Sequence, residues 1–342
     1  MNGRRRETRN LKLLSLNVCG LKSRLQHQEF LDFISDFDIL VFSETKCDGL
    51  DSSQLCDSFD DIGFVVKTLN RHRVSNHRSG GVAIAVRKHL QEHVYFHDSD
   101  SQCALWCTIS NVCTGYDKDI LLGGIYIPPE GSRYSTIDLF DDLETSLVDN
   151  MRTADPYILL TGDLNAYTRV NDDFIEVDFT DFGESVADHF VPPKRNSQDQ
   201  HRPNNYGYRL LEFCKAQSVF ILNGRVGRDA GTGMLTSNNS SVVDYFIGSS
   251  CFLPLVSEFF IAPFDAMFSD VHCPVCLTLT TQTDNDVTRG DSDTTKPVLD
   301  PTQVGDAPKA RRRDPTQSQS FTDALGNDYI VGGGGFDIAI FS

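Results

Sequence analysis

The sequence predicts one α/β domain over residues 11–280, preceded by a basic tail over 1–10 and followed by a low-complexity, disordered tail over 281–342. Three observations support this prediction. Short apolar runs bounded by turn residues recur along the chain, as expected of buried strands. Amphipathic segments with helical spacing separate several of these runs. From about Thr280 the composition changes to Asp, Thr, Pro, Gln and Arg with almost no bulky apolar side chains, as in disordered linkers.

The domain begins with a strand–helix–strand pattern. Residues 12–17 are predicted to form a strand that ends at Asn17, and residues 24–36 a helix because apolar side chains recur there at near-helical spacing. Residues 38–43 then form a buried strand that is followed by Glu44. This β-α-β start places a polar residue at the end of each of its strands.

A strand pair is predicted next, at 64–67 and 81–86. The loop between the two strands contains Arg71, Arg73 and Arg78 in an otherwise acidic protein. Two interpretations of this loop remain open, a solvated hairpin tip and a contact with nucleic-acid phosphates.

Two further strands are predicted at 103–109, where apolar and polar residues alternate, and at 120–127, which contains Tyr126 near its end. An amphipathic helix over 137–151 then leads to the next buried run.

The apolar run 158–160 stops at Gly162 and presents Asp163 and Asn165. Gly162 tolerates a sharp exit from the strand, and the strand period places Asp163 and Asn165 on one side. A carboxylate beside a carboxamide at a strand end can bind a metal, orient a water or hold a phosphate oxygen. Taken alone, Gly-Asp-x-Asn is more simply explained by an Asx-rich turn.

The second half of the domain starts with a polar, aperiodic stretch over 167–204, a long surface excursion of the kind that often carries binding loops. The elements predicted after it are a helix at 208–217 and strands at 220–223, 242–247 and 273–279.

Composition narrows the function classes. The 342 residues, 39% of them hydrophobic, can bury a sizeable core. No apolar run approaches about eighteen residues, so no membrane span is predicted. Ten irregularly spaced cysteines without a signal peptide indicate reduced thiols in an intracellular protein. The net charge of −17 argues against a general nucleic-acid coat protein, but not against an enzyme that collects acidic residues around a cation.

Polar residues end or follow the predicted strands at eight positions: Asn17, Glu44, Tyr126, Asp163, Asn165, Asp244, Asp270 and His272. Each has an ordinary structural explanation alone, but strands of a shared sheet can bring their ends to one rim. Together these groups suit phosphodiester hydrolysis.

Glu44, with help from Asn17 or Asp270, is predicted to hold Mg²⁺, or Mn²⁺ in its place, through hard oxygen ligands. Asp163 is predicted to orient or deprotonate the attacking water.

The remaining side chains are assigned to the phosphate. Asn165 and Tyr126 are predicted to donate hydrogen bonds to it, and His272, held by Asp244, to stabilise the charge of the transition state. The His-Asp pair has no accompanying G-x-S-x-G, and no Walker loop or G-x-G-x-x-G follows a strand. A nucleophilic triad and a nucleotide-binding fold are therefore disfavoured.

Six motifs in order resemble those of the endonuclease/exonuclease/phosphatase superfamily: 13–21 (LLSLNVCGL), 43–46 (SETK), 124–129 (GIYIPP), 161–165 (TGDLN), 241–245 (SVVDY) and 269–274 (SDVHCP). The resemblance is closest to the apurinic-like endonuclease domains of non-LTR retrotransposons, with further similar features at 195–199 (RNSQD), 205–207 (NYG) and 221–225 (ILNGR).

This resemblance implies a four-layer α/β/β/α sandwich of two mixed β-sheets flanked by helices. It also implies a divalent metal and a nicking phosphodiesterase activity on a DNA substrate. The catalytic roles that it implies fall on Asn17, Glu44, Tyr126, Asp163, Asn165, Asp244 and His272.

Two departures from the family pattern bear on activity. Val271 separates Asp270 from His272, and one extra residue on a strand turns a side chain to the other face unless a bulge absorbs it. His272 keeps its spacing to Pro274, so His272 is expected to retain its place. Cys19 stands where abasic-site repair enzymes of this superfamily carry an Asp, which weakens a repair assignment.

Two alternative functions remain open. One is a phosphatase or phosphodiesterase of the same superfamily that acts on inositol phosphates or lipids. The other is a catalytically inactive, domesticated binding module. Short basic runs at 4–6 and 309–313 have two interpretations, nuclear targeting and solvated tails. The predicted location is intracellular, and nuclear if the first interpretation holds.

Overall fold

A computed structural model describes residues 8–70, 79–98, 100–132, 138–151, 155–175, 192–282, 319–322, 328–331 and 338–340. The predicted phosphate-contact residues Arg71, Arg73 and Arg78 lie outside the described residues. So do most of the two predicted tails, whose boundaries stay predictions. The chain divides into two compact units, Met1–Val287 and Thr288–Ser342.

The first unit contains twelve strands among its described residues: β1 Thr8–Asn17, β2 Ile39–Ser43, β3 Phe64–Leu69, β4 Val82–Arg87, β5 Val94–Phe96, β6 Ala104–Ile109, β7 Ile120–Tyr126, β8 Tyr157–Asp163, β9 Val219–Ile221, β10 Asp244–Ser249, β11 Val256–Ile261 and β12 Val275–Gln282. Its α-helices are α1 Leu21–Arg24, α2 Gln28–Ile34, α3 Ser52–Asp61, α4 Asn111–Thr114, α5 Leu139–Met151 and α6 Asn205–Gln217. Short 3-10 helices lie at Lys88–His93, Gly227–Asp229 and Ser250–Phe252.

These strands form two six-stranded mixed sheets. The first has the order β11-β12-β1-β2-β4-β3 and the second β5-β6-β7-β8-β10-β9. Each sheet has one parallel pair, β1–β2 in the first and β7–β8 in the second, and its other pairs are antiparallel.

Three apolar clusters show how the layers stack. One cluster joins the inner faces of the two sheets, with Val41 of the first sheet and Leu122 of the second among its members. The second cluster lies between the outer face of the second sheet and α5 and α6, and the third between the first sheet and α1 to α3. This arrangement confirms the predicted four-layer α/β/β/α sandwich.

One predicted helix is wrong in extent. The apolar spacing over 24–36 predicts a continuous helix, but the structure has α1 and α2 separated by a turn at 25–27. The break falls where the amides of Gln26 and His27 bond to carbonyl oxygens only three residues back and His27 is extended, so α2 starts as a separate helix. The buried Arg24 guanidinium at the end of α1 donates hydrogen bonds to the carbonyl oxygens of Val18 and Ala266.

The second unit has three described strands, β13 Gln319–Thr322, β14 Asp328–Val331 and β15 Ile338–Ile340. They pair antiparallel in the order β13-β14-β15. Among the described residues of the whole chain, no helix is long and apolar enough to cross a membrane.

Candidate active site

Both parallel strand pairs end in predicted site residues. Asn17, the last residue of β1, pairs with Ser43, which immediately precedes Glu44. Tyr126, the last residue of β7, pairs with Asp163, the last residue of β8. Since the carboxyl ends of parallel strands meet at one edge of a sheet, each pair brings two functional groups together. The two pairs belong to different sheets and meet through the contacts of Asn17 with Asp163 and of Tyr126 with Glu44.

Asp163 lies at the centre of this edge and is fully buried apart from about 1% of its surface. Its Oδ2 atom accepts a hydrogen bond of 2.8 Å from Asn17 Nδ2, and its Oδ1 atom accepts one of 3.0 Å from the Asn165 backbone amide. Asp244, the first residue of β10, is its antiparallel neighbour. These bonds fix the Asp163 carboxylate in a single orientation.

The residue before Asp163 has to be glycine. Gly162 has φ +144°, and a Cβ atom there would lie 1.9 Å from the carbonyl oxygen of Ile125 on the adjacent strand. Only glycine lets the two backbones come this close. The glycine of the Gly-Asp-x-Asn motif therefore holds the end of β8 against β7.

His272 and Asp244 form the second buried pair. His272 Nδ1 lies 2.8 Å from Asp244 Oδ2, and His272 Nε2 lies 3.9 Å from Asp163 Oδ2. The side chain of His272 is 10% exposed and that of Asp244 2% exposed. The imidazole is thus hydrogen-bonded to Asp244, and its Nε2 atom lies near Asp163 but beyond hydrogen-bond distance.

The inserted Val271 is absorbed outside the regular strand. β12 begins only at Val275, and the residues before it are held individually. The Val271 carbonyl accepts from the Asn238 amide at 2.9 Å, and His272 pairs with Ser237 as an isolated β-bridge. Strict strand alternation does not apply here, so the insertion leaves His272 directed inward.

Asp270 points away from this pair. Its side chain is 61% exposed, and it forms an ion pair with the Arg24 guanidinium. Hydrogen bonds from Cys19 and Arg24 lower the pKa of Asp270. Asp270 is therefore an ionised carboxylate that already has a cationic partner.

Glu44 lies on the first-sheet side of the site. Tyr126 donates its hydroxyl to Glu44 Oε1, and Lys46 Nζ lies 3.5 Å from Glu44 Oε2. The same ammonium group lies 2.9 Å from Cys19 Sγ. Lys46 and Cys19 both fall within the sequence motifs but have no predicted role there, because nothing in their spacing shows that the two loops meet.

Positive backbone angles cluster at this edge. Cys19, Glu44, Lys46 and Asn165 have φ between 48° and 54°, a region that residues other than glycine seldom adopt. Asn165 also donates its Nδ2 to the carbonyl oxygen of Ile127 at 2.9 Å. Such strain persists only where surrounding contacts enforce it, and it is characteristic of functional sites.

The electrostatics of the buried trio favour proton transfer. Burial, together with the negative charge of Asp244, raises the pKa of Asp163 to about 7, against the opposing effects of His272 and Asn17. Burial lowers the pKa of His272, but the charge and hydrogen bond of Asp244 outweigh it and raise that pKa to about 9. Near neutral pH the site holds a carboxyl poised to exchange a proton beside an imidazolium.

Two groups of residues are candidates for binding a metal ion. Ligand atoms of Asp163, Asp244 and His272 lie within 4.8 Å of one another. These atoms already bond to each other and to Asn17, so a cation among them would displace existing hydrogen bonds.

Glu44 fits a hard cation better. Its carboxylate is 20% exposed, and its cationic partner in the described chain is Lys46 at the looser distance of 3.5 Å. Asn17 Oδ1 lies on the same edge, where it accepts a hydrogen bond of 3.0 Å from the Cys19 amide. A partly exposed carboxylate and a buried amide oxygen offer the hard oxygen ligands that Mg²⁺ or Mn²⁺ prefers.

The motifs around 195–199 and 221–225 supply a scaffold for the site. The buried Asp199 accepts from the Val242 amide at 2.9 Å, and Asn223 Nδ2 donates to the carbonyl oxygen of Asp244 at 3.1 Å. Arg225 forms a fully buried, two-pronged ion pair with Asp173. Asp199 and Asn223 fix the start of β10, and hence the position of Asp244.

Comparisons with known proteins identify the fold and the family. No curated protein sequence matches the chain. Among solved structures, the AP endonuclease LMAP from Leishmania major is 16% identical with a TM-score of 0.57, covering 80% of this chain and 88% of its own. The 3′ phosphatase NExo from Neisseria, bound to a product DNA hairpin, is 16% identical with a TM-score of 0.52, covering 78% and 98%. The endonuclease domain of TRAS1, a telomere-specific non-LTR retrotransposon, is 14% identical with a TM-score of 0.47, covering 80% and 100%.

At these identities the two structures with TM-scores above 0.5 establish the fold alone. The family is established by sequence, because the model of the Endonuclease/Exonuclease/phosphatase family matches residues 14–338. The matched span includes every residue of the candidate site. The chain belongs to the endonuclease/exonuclease/phosphatase family.

Proposed function

We propose that the protein is a divalent-metal-dependent phosphodiesterase that nicks DNA, an endonuclease of the retrotransposon type. The observation that carries this proposal is the position of Asp163, which is buried between the Asn17 amide and the His272–Asp244 pair. A fixed carboxylate beside an imidazolium matches the needs of phosphodiester hydrolysis, in which water loses a proton while charge grows on the phosphate.

Asp163 acts as the general base. The raised pKa of about 7 gives its carboxylate a real affinity for a proton at neutral pH, whereas an ordinary exposed Asp is a very weak base. The hydrogen bonds from Asn17 and Asn165 orient it toward the attacking water.

His272 stabilises the developing charge. The pKa of about 9 keeps its imidazole protonated at neutral pH, and the Asp244 carboxylate holds the Nδ1 side. The Nε2–H group is left to donate to a phosphate oxygen, where a preformed, buried donor contributes most.

Glu44 and Asn17 would hold the divalent ion. When bound, such an ion neutralises negative charge on the phosphate oxygens. Asp270 contributes at most weakly, because its carboxylate is already paired with Arg24. The Tyr126 hydroxyl donates to Glu44 and orients it, so the main role of Tyr126 is to support the metal ligand rather than to bind the phosphate.

DNA is favoured as the substrate by the motif resemblance to retrotransposon endonucleases. The 3′ phosphatase NExo supports DNA as the substrate because that protein was solved with a product DNA hairpin.

A supercoiled plasmid tests the proposal. Incubation with Mg²⁺ should convert it to the nicked circle, and EDTA should prevent this.

Release of phosphate from soluble inositol phosphates is measured in parallel. Phosphate release without nicking would replace the proposal with a small-molecule phosphatase. Folded protein that does neither with Mg²⁺ or Mn²⁺ would indicate an inactive binding module.

A further inference from the structure

Two segments, 166–171 and 194–204, carry a partly exposed aromatic stack between them. The rings of Tyr167 and His201 are stacked with their centroids 4.8 Å apart and their planes 19° from parallel. The His201 side chain is 46% exposed, and its Nδ1 atom lies 2.7 Å from the buried carboxylate of Asp199. A fixed, half-exposed ring on a rigid support offers a flat surface to a second ring.

The stack is connected to the active site through two short paths. Asn204 accepts from the Tyr167 amide at 3.0 Å and donates to the carbonyl oxygen of Asn165 at 3.0 Å. Asp199, which holds His201, also accepts from the amide of Val242, two residues before Asp244. The stack is therefore linked to the segments that carry Asn165 and Asp244.

Three exposed cations lie on the same two segments. Arg169 and Arg202 are close neighbours in sequence of Tyr167 and His201, and Lys194 precedes Arg195. The buried Arg195 staples the segments together, because its guanidinium donates to Thr168 Oγ1 at 2.8 Å and to the Asn171 carbonyl at 2.9 Å.

These cations differ from most others on the surface. Lys67, Lys88, Lys118, Arg209 and Arg228 each pair with an acidic side chain. Arg169, Lys194 and Arg202 have no acidic partner among the described residues. In a protein with a net charge of −17, a group of exposed cations without an acidic partner in the described part of the chain suits a polyanion.

We infer that Tyr167, Arg169, Lys194, His201 and Arg202 form a surface that binds the nucleic-acid strand next to the scissile phosphate, with one unstacked base placed on the Tyr167–His201 stack. The cations contact the backbone phosphates and give affinity without reading sequence. The stack receives a base face, which every base can provide. The inference rests on the proposed DNA-nicking function and specifies how the substrate is positioned.

The test measures binding of the full chain, in EDTA, to duplexes that each carry 2-aminopurine at one position. The probe positions surround the nick site mapped with the wild-type protein. If no nick is found, the probe positions cover the whole duplex. A base that stacks on an aromatic ring loses its fluorescence, so one position should be quenched on binding. Tyr167→Ala and His201→Ala should abolish that quenching and weaken binding roughly 5- to 100-fold. Tyr167→Phe, which keeps the ring, should behave as wild type.

His201→Asn distinguishes loss of the stacking ring from loss of the contact with Asp199. Asn can still donate to Asp199 but has no ring, so this variant should remain folded and lose the quenching. The unfolding midpoint of each variant checks that the scaffold is intact.

The cations are tested by the salt dependence of binding. The double variant Arg169→Ala/Arg202→Ala should lower the slope of log affinity against log salt by about 0.9 for each phosphate that the protein no longer neutralises. Lys12→Ala is the matched control. Lys12 is also exposed, and its ammonium group has no acidic partner in the described chain, but it lies five residues from Asn17 toward the other end of β1.

The outcomes separate this inference from the proposed function. Nicking by the wild type with unchanged quenching, affinity and salt slope in all surface variants would overturn the inference alone. Binding and quenching that depend on the surface, without nicking by the wild type, would overturn the proposed function alone. A wild-type protein that neither binds nor nicks DNA would overturn both.

Discussion

His272 Nδ1 lies 2.8 Å from Asp244 Oδ2, although an inserted Val271 separates His272 from the acidic residue before it. The insertion is taken up because the segment ahead of β12 is held by single hydrogen bonds rather than by a regular ladder. Asp270 is displaced instead, and it turns outward to pair with Arg24. The buried pair is thus preserved while the acidic neighbour leaves the site.

Asp244→Asn should lower the nicking rate by about 10²-fold or more, because His272 loses the charge that keeps it protonated. The rate should fall below about pH 7 as Asp163 gains a proton, and above about pH 9 as His272 loses one. Asp244 raises the pKa of His272, so the variant should lose activity at a lower alkaline pH. A pH–rate profile checks this, and an alkaline limb that does not move would contradict the assigned role of the pair.

The same pair links stability to pH in metal-free protein. The folded-state pKa of His272 is raised from 6.5 to about 9, so its contribution is complete below pH 6.5 and is lost as the pH rises through 9. His272→Asn removes this contribution. The difference in the free energy of unfolding between wild type and variant should therefore shrink by up to about 3 kcal/mol between pH 6.5 and 9. Urea unfolding in EDTA measures it, and a constant difference would rule the linkage out.

Glu44 and Asp270 should respond differently to substitution. Glu44→Gln should raise the Mg²⁺ concentration needed for half-maximal nicking by at least about 10-fold, since it removes the charged ligand. Asp270→Asn should have a much smaller effect, because that carboxylate is 61% exposed and paired with Arg24. Magnesium titrations of the two variants give the comparison directly. Equal shifts would mean that Asp270 shares the metal.

Gly162→Ala should destabilise the fold by roughly 3 kcal/mol or more, because the new Cβ atom would lie 1.9 Å from the Ile125 carbonyl oxygen and φ is +144°. Gly49→Ala is the matched control, since a Cβ atom there meets nothing within 4 Å. Unfolding midpoints in urea distinguish the two. A Gly162→Ala variant as stable as the control would show that β7 and β8 can separate without loss.

The sequence predicts the strand ends well, for a physical reason. Apolar runs that stop at a polar residue mark both the strand and the side chain delivered at its end, as at Asn17 and Asp163. The short edge strands β5 and β11 were not predicted. Their sequences have weak alternation, and β11 changes register between Val256 and Glu258, so only pairing with a neighbour defines them.

The contacts between loops at the site could not be predicted from the sequence either. Lys46 meets Cys19, and Arg24 meets Asp270 across 246 positions of the chain. Long polar side chains reach such partners only after the sheet brings the loops together. The outward turn of Asp270 depends on the same contacts. The inserted Val271 therefore shows that a side chain of the motif must change position, but the sequence does not show that this side chain is Asp270.

The most direct test of the central claim is plasmid nicking by three proteins prepared alike: wild type, Asp163→Asn and His272→Ala. Circular dichroism first establishes that all three are folded. The account predicts Mg²⁺-dependent nicking by the wild type and a loss of at least about 10²-fold in each variant. Nicking that survives in folded Asp163→Asn protein at the wild-type rate would contradict it, because no other buried carboxylate in the described chain lies against His272 Nε2.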